Sequence, residues 1–167
     1  MSTHDPDTTA VTVRDRMLGR GQRYDVRIGE SHADAGAVAH FTNMLAEAEG
    51  REASADAESV YQAWQTGAMA SLIIYDTQTP HSVGSLNLSV VYDPGKNTTN
   101  KLYVYDFHVC EHTFGAGTAA LEKVRAIAEA LGLKRIEFVV SDSGVANERV
   151  YRLMGARPIG TLYVVEV

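Results

Sequence analysis

The last third of the chain narrows the possible folds more than any other segment. A strand that ends at Val109 leads through a glycine-bearing loop at residues 113–119 into a helix. A buried strand at residues 135–140, a helix at residues 145–154 and a closing strand at residues 161–167 follow. Strands that alternate with helices in this way are typical of α/β domains, so we expect a sheet flanked by helices.

Three helices have clear sequence signals. Ser31 and Asp34 have the spacing of a capping box. The apolar face of the helix that follows is predicted to contain Val38, Phe41, Leu45 and Ala48. A second helix is predicted at about residues 54–66. The helix after the glycine loop has a predicted buried stripe of Leu121, Val124, Ala128 and Leu131.

Further strands are predicted upstream of the glycine loop. Short β-branched pieces at residues 11–15 and 24–28 indicate one or two strands, and residues 71–76, 83–93 and 101–109 indicate three more. Within the second of these three, polar residues alternate with apolar ones: Ser85, Asn87 and Ser89 against Leu86, Leu88 and Val90. A turn signal at its end predicts antiparallel pairing with the next strand.

Composition limits the class of protein. The chain has 167 residues, a formal net charge of −6 and no basic stripe typical of nucleic-acid-binding proteins. Cys110 is the only cysteine, which argues against a disulfide or a cysteine zinc site. No apolar run approaches the roughly 20 residues of a membrane span, and no secretory signal is evident. We expect a cytoplasmic, metal-free protein with a disordered tail at residues 1–10 and a single domain at residues 11–167.

The glycine loop has the features of an anion site. Gly115 and Gly117 let a ligand approach the backbone closely, and N–H groups at the start of the helix point outwards. A plain strand-to-helix connector would need the same glycines. A Walker loop is excluded because no Gly-Lys-Ser/Thr is present. A dinucleotide-binding fold fits poorly because this loop is C-terminal and follows antiparallel strands.

Two motifs carry a resemblance to a known family. The loop of that family reads Arg/Gln-x-x-Gly-x-Gly/Ala, and here Gly117 and Ala119 fill the last two positions while Phe114 stands at the first. The second motif is a tyrosine four residues before a glycine at the end of the next helix, matched by Tyr151. Residues 109–160 therefore resemble the core of the GNAT superfamily, the GCN5-related N-acetyltransferases.

The resemblance implies a fold and an activity. The fold would be a mixed central sheet whose fourth and fifth strands splay apart, flanked by helices. The activity would be transfer of an acetyl or other acyl group from acyl-coenzyme A to a small-molecule amine, by direct attack of the amine on the thioester. The phosphopantetheine arm would lie between the splayed strands. Coenzyme contacts are expected from Phe107, His108, Val109, Phe114, Gly115, Ala116, Gly117, Thr118, Ala119 and Asn147.

The resemblance also points to catalytic residues. Tyr151 is the expected acid for the departing thiolate, because a phenol is neutral at pH 7 and can donate a hydrogen bond to sulfur. His108 is the most attractive base, with an ordinary pKa of about 6.5, and Asp106 would orient or recharge it. Tyr105 stands at a position that often holds the base in the family, and a chain of waters is a further alternative. Strand alternation would place Asp106 and His108 on one face, and Tyr105 and Phe107 on the other.

Phe114 is the departure from the family pattern that matters for the donor. A phenylalanine offers no hydrogen bond to a phosphate, whereas arginine or glutamine does. Two alternatives therefore stay open: a donor carried on the phosphopantetheine arm of an acyl carrier protein, and a non-catalytic module of the same fold. The partners expected are a small-molecule amine, a carrier protein in the first alternative and a second copy in a homodimer. Neither nucleic acid nor a membrane is expected as a partner.

Overall fold

The computed structural model describes residues 23–92, 100–139, 150–152 and 155–159. The predicted tail, the strand at residues 11–15, the closing strand and Asn147 lie outside these residues. Within the described residues, no helix has the length and apolar character that a membrane span requires. The same residues contain no group of three or more His, Cys, Asp or Glu side chains placed to hold a metal ion.

In the part of the chain that the structure describes, five strands form a mixed sheet at the centre of the fold. Its strands are β1 (Tyr24–Ile28), β2 (Ala70–Asp76), β3 (Ser82–Val91), β4 (Lys101–Val109) and β5 (Ile136–Phe138). They lie in sequence order across the sheet, antiparallel from β1 to β4 and parallel between β4 and β5. The expected mixed sheet flanked by helices is thus confirmed.

Three helices among the described residues flank this sheet. They are α1 (His32–Ala48), α2 (Ala57–Gln65) and α3 (Ala116–Ala130). The predicted capping box starts α1, since the Asp34 amide donates to Ser31 Oγ at 3.1 Å and the Ser31 amide donates to Asp34 Oδ2 at 3.0 Å. The cap of α2 is Asp56, so this helix begins later than predicted. Residues 150–152 are also helical.

The sheet separates two apolar clusters. On one side, the α3 face, α3 packs through Leu121 and Val124 against strand residues that include Leu72 and Leu86. Leu131, which was predicted to belong to the buried stripe of this helix, is instead 57% exposed, because α3 ends one residue before it. On the other side, the α1/α2 face, the two upstream helices bury a second cluster, Ala35, Val38, Ala39, Val60 and Ile73.

A β-bulge interrupts β4 and reverses part of the predicted alternation. Asn87 of β3 pairs with Tyr105 of β4, and Ser85 of β3 pairs with His108 of β4. A step of two residues along β3 therefore corresponds to a step of three residues along β4. The extra residue in β4 makes Asp106 adopt a φ of +48°, a region that aspartate tolerates better than most residues. Phe107 therefore packs on the α3 face. The prediction that Tyr105 and Phe107 share one face is wrong.

Candidate active site

The C-terminal ends of β4 and β5 lie on either side of Tyr151. The described pairing of the two strands ends at Val104 with Phe138, followed by a hydrogen bond from the Val139 amide to the Val104 carbonyl at 3.1 Å. The Tyr151 ring stacks on Phe138, with centroids 4.4 Å apart, and lies 6.1 Å from the ring of Phe107. Tyr151 is 4% exposed, and burial raises the pKa of its phenol. This side chain is therefore a neutral hydrogen-bond donor at physiological pH.

The glycine loop leads into α3 beside the end of β4. Gly115 is the N-cap of α3, has a φ of +92° and provides no side-chain cap. The Ala116 amide donates to the Thr113 carbonyl at 3.1 Å, and the Ala119 amide donates to the Gly115 carbonyl at 3.0 Å. The start of an α-helix leaves up to four N–H groups without an intrahelical partner. The two residues that follow Ala116 in the first turn can therefore donate their N–H groups to an anion.

Those two residues are Gly117 and Thr118, whose amides have no acceptor in the described part of the chain. A Cβ added to Gly117 would lie 3.7 Å from Phe107 Cζ, so the first turn of α3 rests directly on the end of β4. Phe114 lies just before this turn with its side chain 77% exposed. The structure thus brings the predicted loop residues next to Phe107 and Tyr151, with Phe114 at the outer rim.

His108 lies on the α1/α2 face near the end of β4. Its ring stacks on Phe41 of α1, with centroids 6.1 Å apart, and its Nε2 atom is buried without a partner among the described residues. Burial, and secondarily the charge of His40, lowers the pKa of His108. The imidazole is therefore neutral at pH 7 and able to accept a proton. No hydrogen bond joins it to Asp106 in the part of the chain that the structure describes.

Two other reactive side chains, Tyr105 and Cys110, lie in β4 and directly after it. The Tyr105 hydroxyl lies 3.3 Å from Ser89 Oγ and donates to Met69 Sδ at 3.5 Å. Burial raises the pKa of the Cys110 thiol, which disfavours the thiolate that a nucleophile would need. Tyr105 and Cys110 are thus less suited to proton or acyl transfer than His108.

Sequence reasoning missed the residues that hold Asp106. Its carboxylate accepts a hydrogen bond from the Asn87 amide at 3.2 Å, and Asn87 in turn accepts one from the Ser71 hydroxyl at 2.7 Å. The polar alternation in β3 was the available signal, because polar residues in a central strand that is covered by helices need buried partners.

Solved acetyltransferases share this architecture. A predicted acetyltransferase from Clostridium acetobutylicum, solved with acetyl-CoA, is 14% identical with a TM-score of 0.67, over 86% of this chain and 96% of that one. An acetyltransferase from Trypanosoma brucei is 15% identical with a TM-score of 0.67, over 86% and 99% of the two chains. A ribosomal-protein-alanine N-acetyltransferase from Brucella melitensis biovar Abortus is 15% identical with a TM-score of 0.71, again over 86% and 99%. At these identities the likeness is one of fold.

The sequence itself matches a family model. No curated protein matches it, but the model for the Acetyltransferase (GNAT) family matches residues 38–156. That range is more than half of the chain, and it contains β4, the glycine loop and Tyr151. The chain therefore belongs to the GNAT family of acetyltransferases and is an N-acyltransferase.

Proposed function

We propose that the protein transfers an acetyl group from acetyl-coenzyme A to a small-molecule amine. One observation carries the proposal: Tyr151 lies between the ends of β4 and β5, beside the open N–H groups of α3. In this arrangement a thioester in the gap has an acid next to its sulfur and donors next to its phosphates. The acetyl-CoA in the Clostridium acetobutylicum structure supports the same donor for this fold.

The donor would be held mainly by backbone groups. The Gly117 and Thr118 amides, at the positive end of the α3 dipole, suit the pyrophosphate. The backbone at the C-terminal end of β4, residues 107–109, would pair with the amides of the pantetheine arm. This assignment needs no cationic side chain in the loop, which fits the phenylalanine at position 114.

The reaction needs a base for the amine and an acid for the thiolate, and two side chains suit these roles. The ammonium form of the amine gives up one proton to the neutral His108 imidazole, and the freed nitrogen lone pair attacks the thioester carbon. The C–S bond breaks as the tetrahedral adduct collapses, and the departing sulfur takes the proton of the Tyr151 hydroxyl. The nitrogen loses its second proton, which restores the Tyr151 phenol through solvent, and His108 releases its proton to solvent. Asp106 and Tyr105 remain the alternative bases for the first transfer.

Phe114 favours one second candidate, in which the acyl donor is the phosphopantetheine arm of a carrier protein. Such an arm has one phosphate in place of the three of coenzyme A, so it demands less of the loop. The exposed apolar ring would then contact the carrier surface rather than a phosphate.

Isothermal titration distinguishes the donors. The protein is titrated with acetyl-CoA, 3′-dephospho-coenzyme A and 4′-phosphopantetheine. We expect affinity to fall as phosphates are removed. Equal affinity for all three would favour the carrier-protein donor, and absence of binding by all three would contradict acyl transfer from either donor at this site.

A further inference from the structure

A chain of hydrogen-bonded side chains crosses the α1/α2 face from α2 to the bulge in β4. The Trp64 indole N–H donates to Ser71 Oγ at 3.0 Å. The Ser71 hydroxyl donates to Asn87 Oδ1 at 2.7 Å, and the Asn87 amide donates to Asp106 Oδ2 at 3.2 Å. Ser71 and Asn87 are both buried. Because buried polar groups are costly unless they are hydrogen-bonded, each link requires the next.

The direction of this chain is determined by its two ends. An indole N–H can only donate, and an ionised carboxylate can only accept. If the Asn87 amide were flipped, its oxygen would face the Asp106 carboxylate and both would be acceptors. All three donors therefore point towards Asp106, and each polarises the following one. The chain fixes the orientation of the Asp106 carboxylate.

Asp106 lacks a cationic partner within the described part of the chain. None of the ion pairs there includes it, and Asn87 is its one hydrogen-bond donor among those residues. Its side chain is half-buried and lies on the same face of the sheet as His108. A fixed, half-desolvated carboxylate beside the proposed base attracts a cation.

We infer that Asp106 binds the ammonium group of the acceptor, and that Trp64, Ser71 and Asn87 are positioning residues that hold its carboxylate. This inference rests on the proposed function and adds the chemical class of the acceptor, a primary amine that is cationic when it binds. The ammonium binds to Asp106 and then gives its proton to His108. Neutral and anionic acceptors are disfavoured by the same carboxylate.

The single tryptophan makes the chain observable without knowledge of the natural acceptor. The sequence contains one Trp, so the Trp64 indole gives one side-chain N–H signal in a ¹H–¹⁵N spectrum. Asp106→Asn is expected to move this signal, because it removes the negative charge from the acceptor at the far end of the chain and so weakens the polarisation of every link. The matched control is Ser85→Ala, which removes a buried hydroxyl from the same face that has no hydrogen-bond partner among the residues the structure describes. An indole signal that moves no further in Asp106→Asn than in Ser85→Ala would overturn the inference.

Methylammonium is the probe for the cation site. Methylammonium chloride, exchanged for sodium chloride at constant ionic strength, is expected to move the Trp64 indole signal saturably in the wild-type protein. The apparent affinity should fall about tenfold in Asp106→Asn, as expected for loss of a charge-assisted hydrogen bond. No movement in the wild type would overturn the inference. Calorimetry with acetyl-CoA on the same sample separates the two proposals, since failure to bind acetyl-CoA contradicts the proposed function whatever the indole signal does.

Discussion

Replacing Tyr151 with phenylalanine removes one oxygen atom and leaves the aromatic ring in place. That ring is 4% exposed, and its centroid lies 4.4 Å from that of Phe138 and 6.1 Å from that of Phe107. Because these contacts persist, the free energy of unfolding should change by at most about 1 kcal/mol. The rate of acyl transfer should fall about 10²- to 10⁴-fold, the usual contribution of a positioned acid.

The assay for Tyr151→Phe follows release of the free thiol at saturating acetyl-CoA and amine. Burial raises the pKa of Tyr151, so the phenol stays protonated throughout the neutral and mildly basic range. The fold-loss in kcat should therefore be the same at pH 7 and pH 9. Tyr151→Leu is the packing control, because it loses the ring contacts and should lower the unfolding free energy by about 2 kcal/mol or more. Wild-type turnover by a stably folded Tyr151→Phe protein would refute the assignment.

Three further predictions concern the base, the sheet and the loop. Because burial lowers the pKa of His108 from 6.5, kcat should rise with pH, and the midpoint of this rise should lie below pH 6.5. His108→Gln should abolish this pH dependence. An unchanged pH profile in His108→Gln would exclude His108 as the base. A Cβ at Gly84 would lie 2.5 Å from the His108 carbonyl oxygen, so Gly84→Ala should lower the free energy of unfolding by about 1–3 kcal/mol in chemical denaturation. Gly36→Ala in α1 is the control and should not destabilise the fold, because its Cβ would lie 3.9 Å from the nearest atom. Equal effects of the two substitutions would contradict the packing argument. Phe114→Arg should raise the affinity for acetyl-CoA about tenfold by calorimetry, since arginine pairs with phosphate and the exposed position costs no packing; unchanged affinity would place the phosphates elsewhere.

Local signals were sufficient for most described elements. β4 spans Lys101–Val109, as predicted, and the capping box at Ser31 begins α1. Local signals do not determine where α2 starts, because several polar residues precede the helix. Only the folded structure shows which of them is the N-cap. The Ser59 amide donates to Asp56 Oδ1 at 2.9 Å, so Asp56 is the cap.

The bulge and the polar chain could not be predicted from the sequence alone. A prediction from alternation assumes that the strand contains no bulge. The extra residue at Asp106 is seen only in the pairing of β4 with β3. The Trp64–Ser71–Asn87 links likewise join residues from α2, β2 and β3, whose proximity depends on the fold. Tyr151 could be placed only through the family resemblance, because the sequence spacing of a short helix does not indicate that its tyrosine packs against Phe107 and Phe138.

A crystal structure of the complex with acetyl-CoA would show directly where the thioester lies relative to Tyr151. We predict that the pantetheine arm lies between the ends of β4 and β5, with the thioester sulfur within hydrogen-bonding distance of the Tyr151 hydroxyl. We also predict pyrophosphate oxygens on the Gly117 and Thr118 amides. Acetyl-CoA bound with its thioester away from Tyr151, or with its phosphates away from the start of α3, would contradict this prediction.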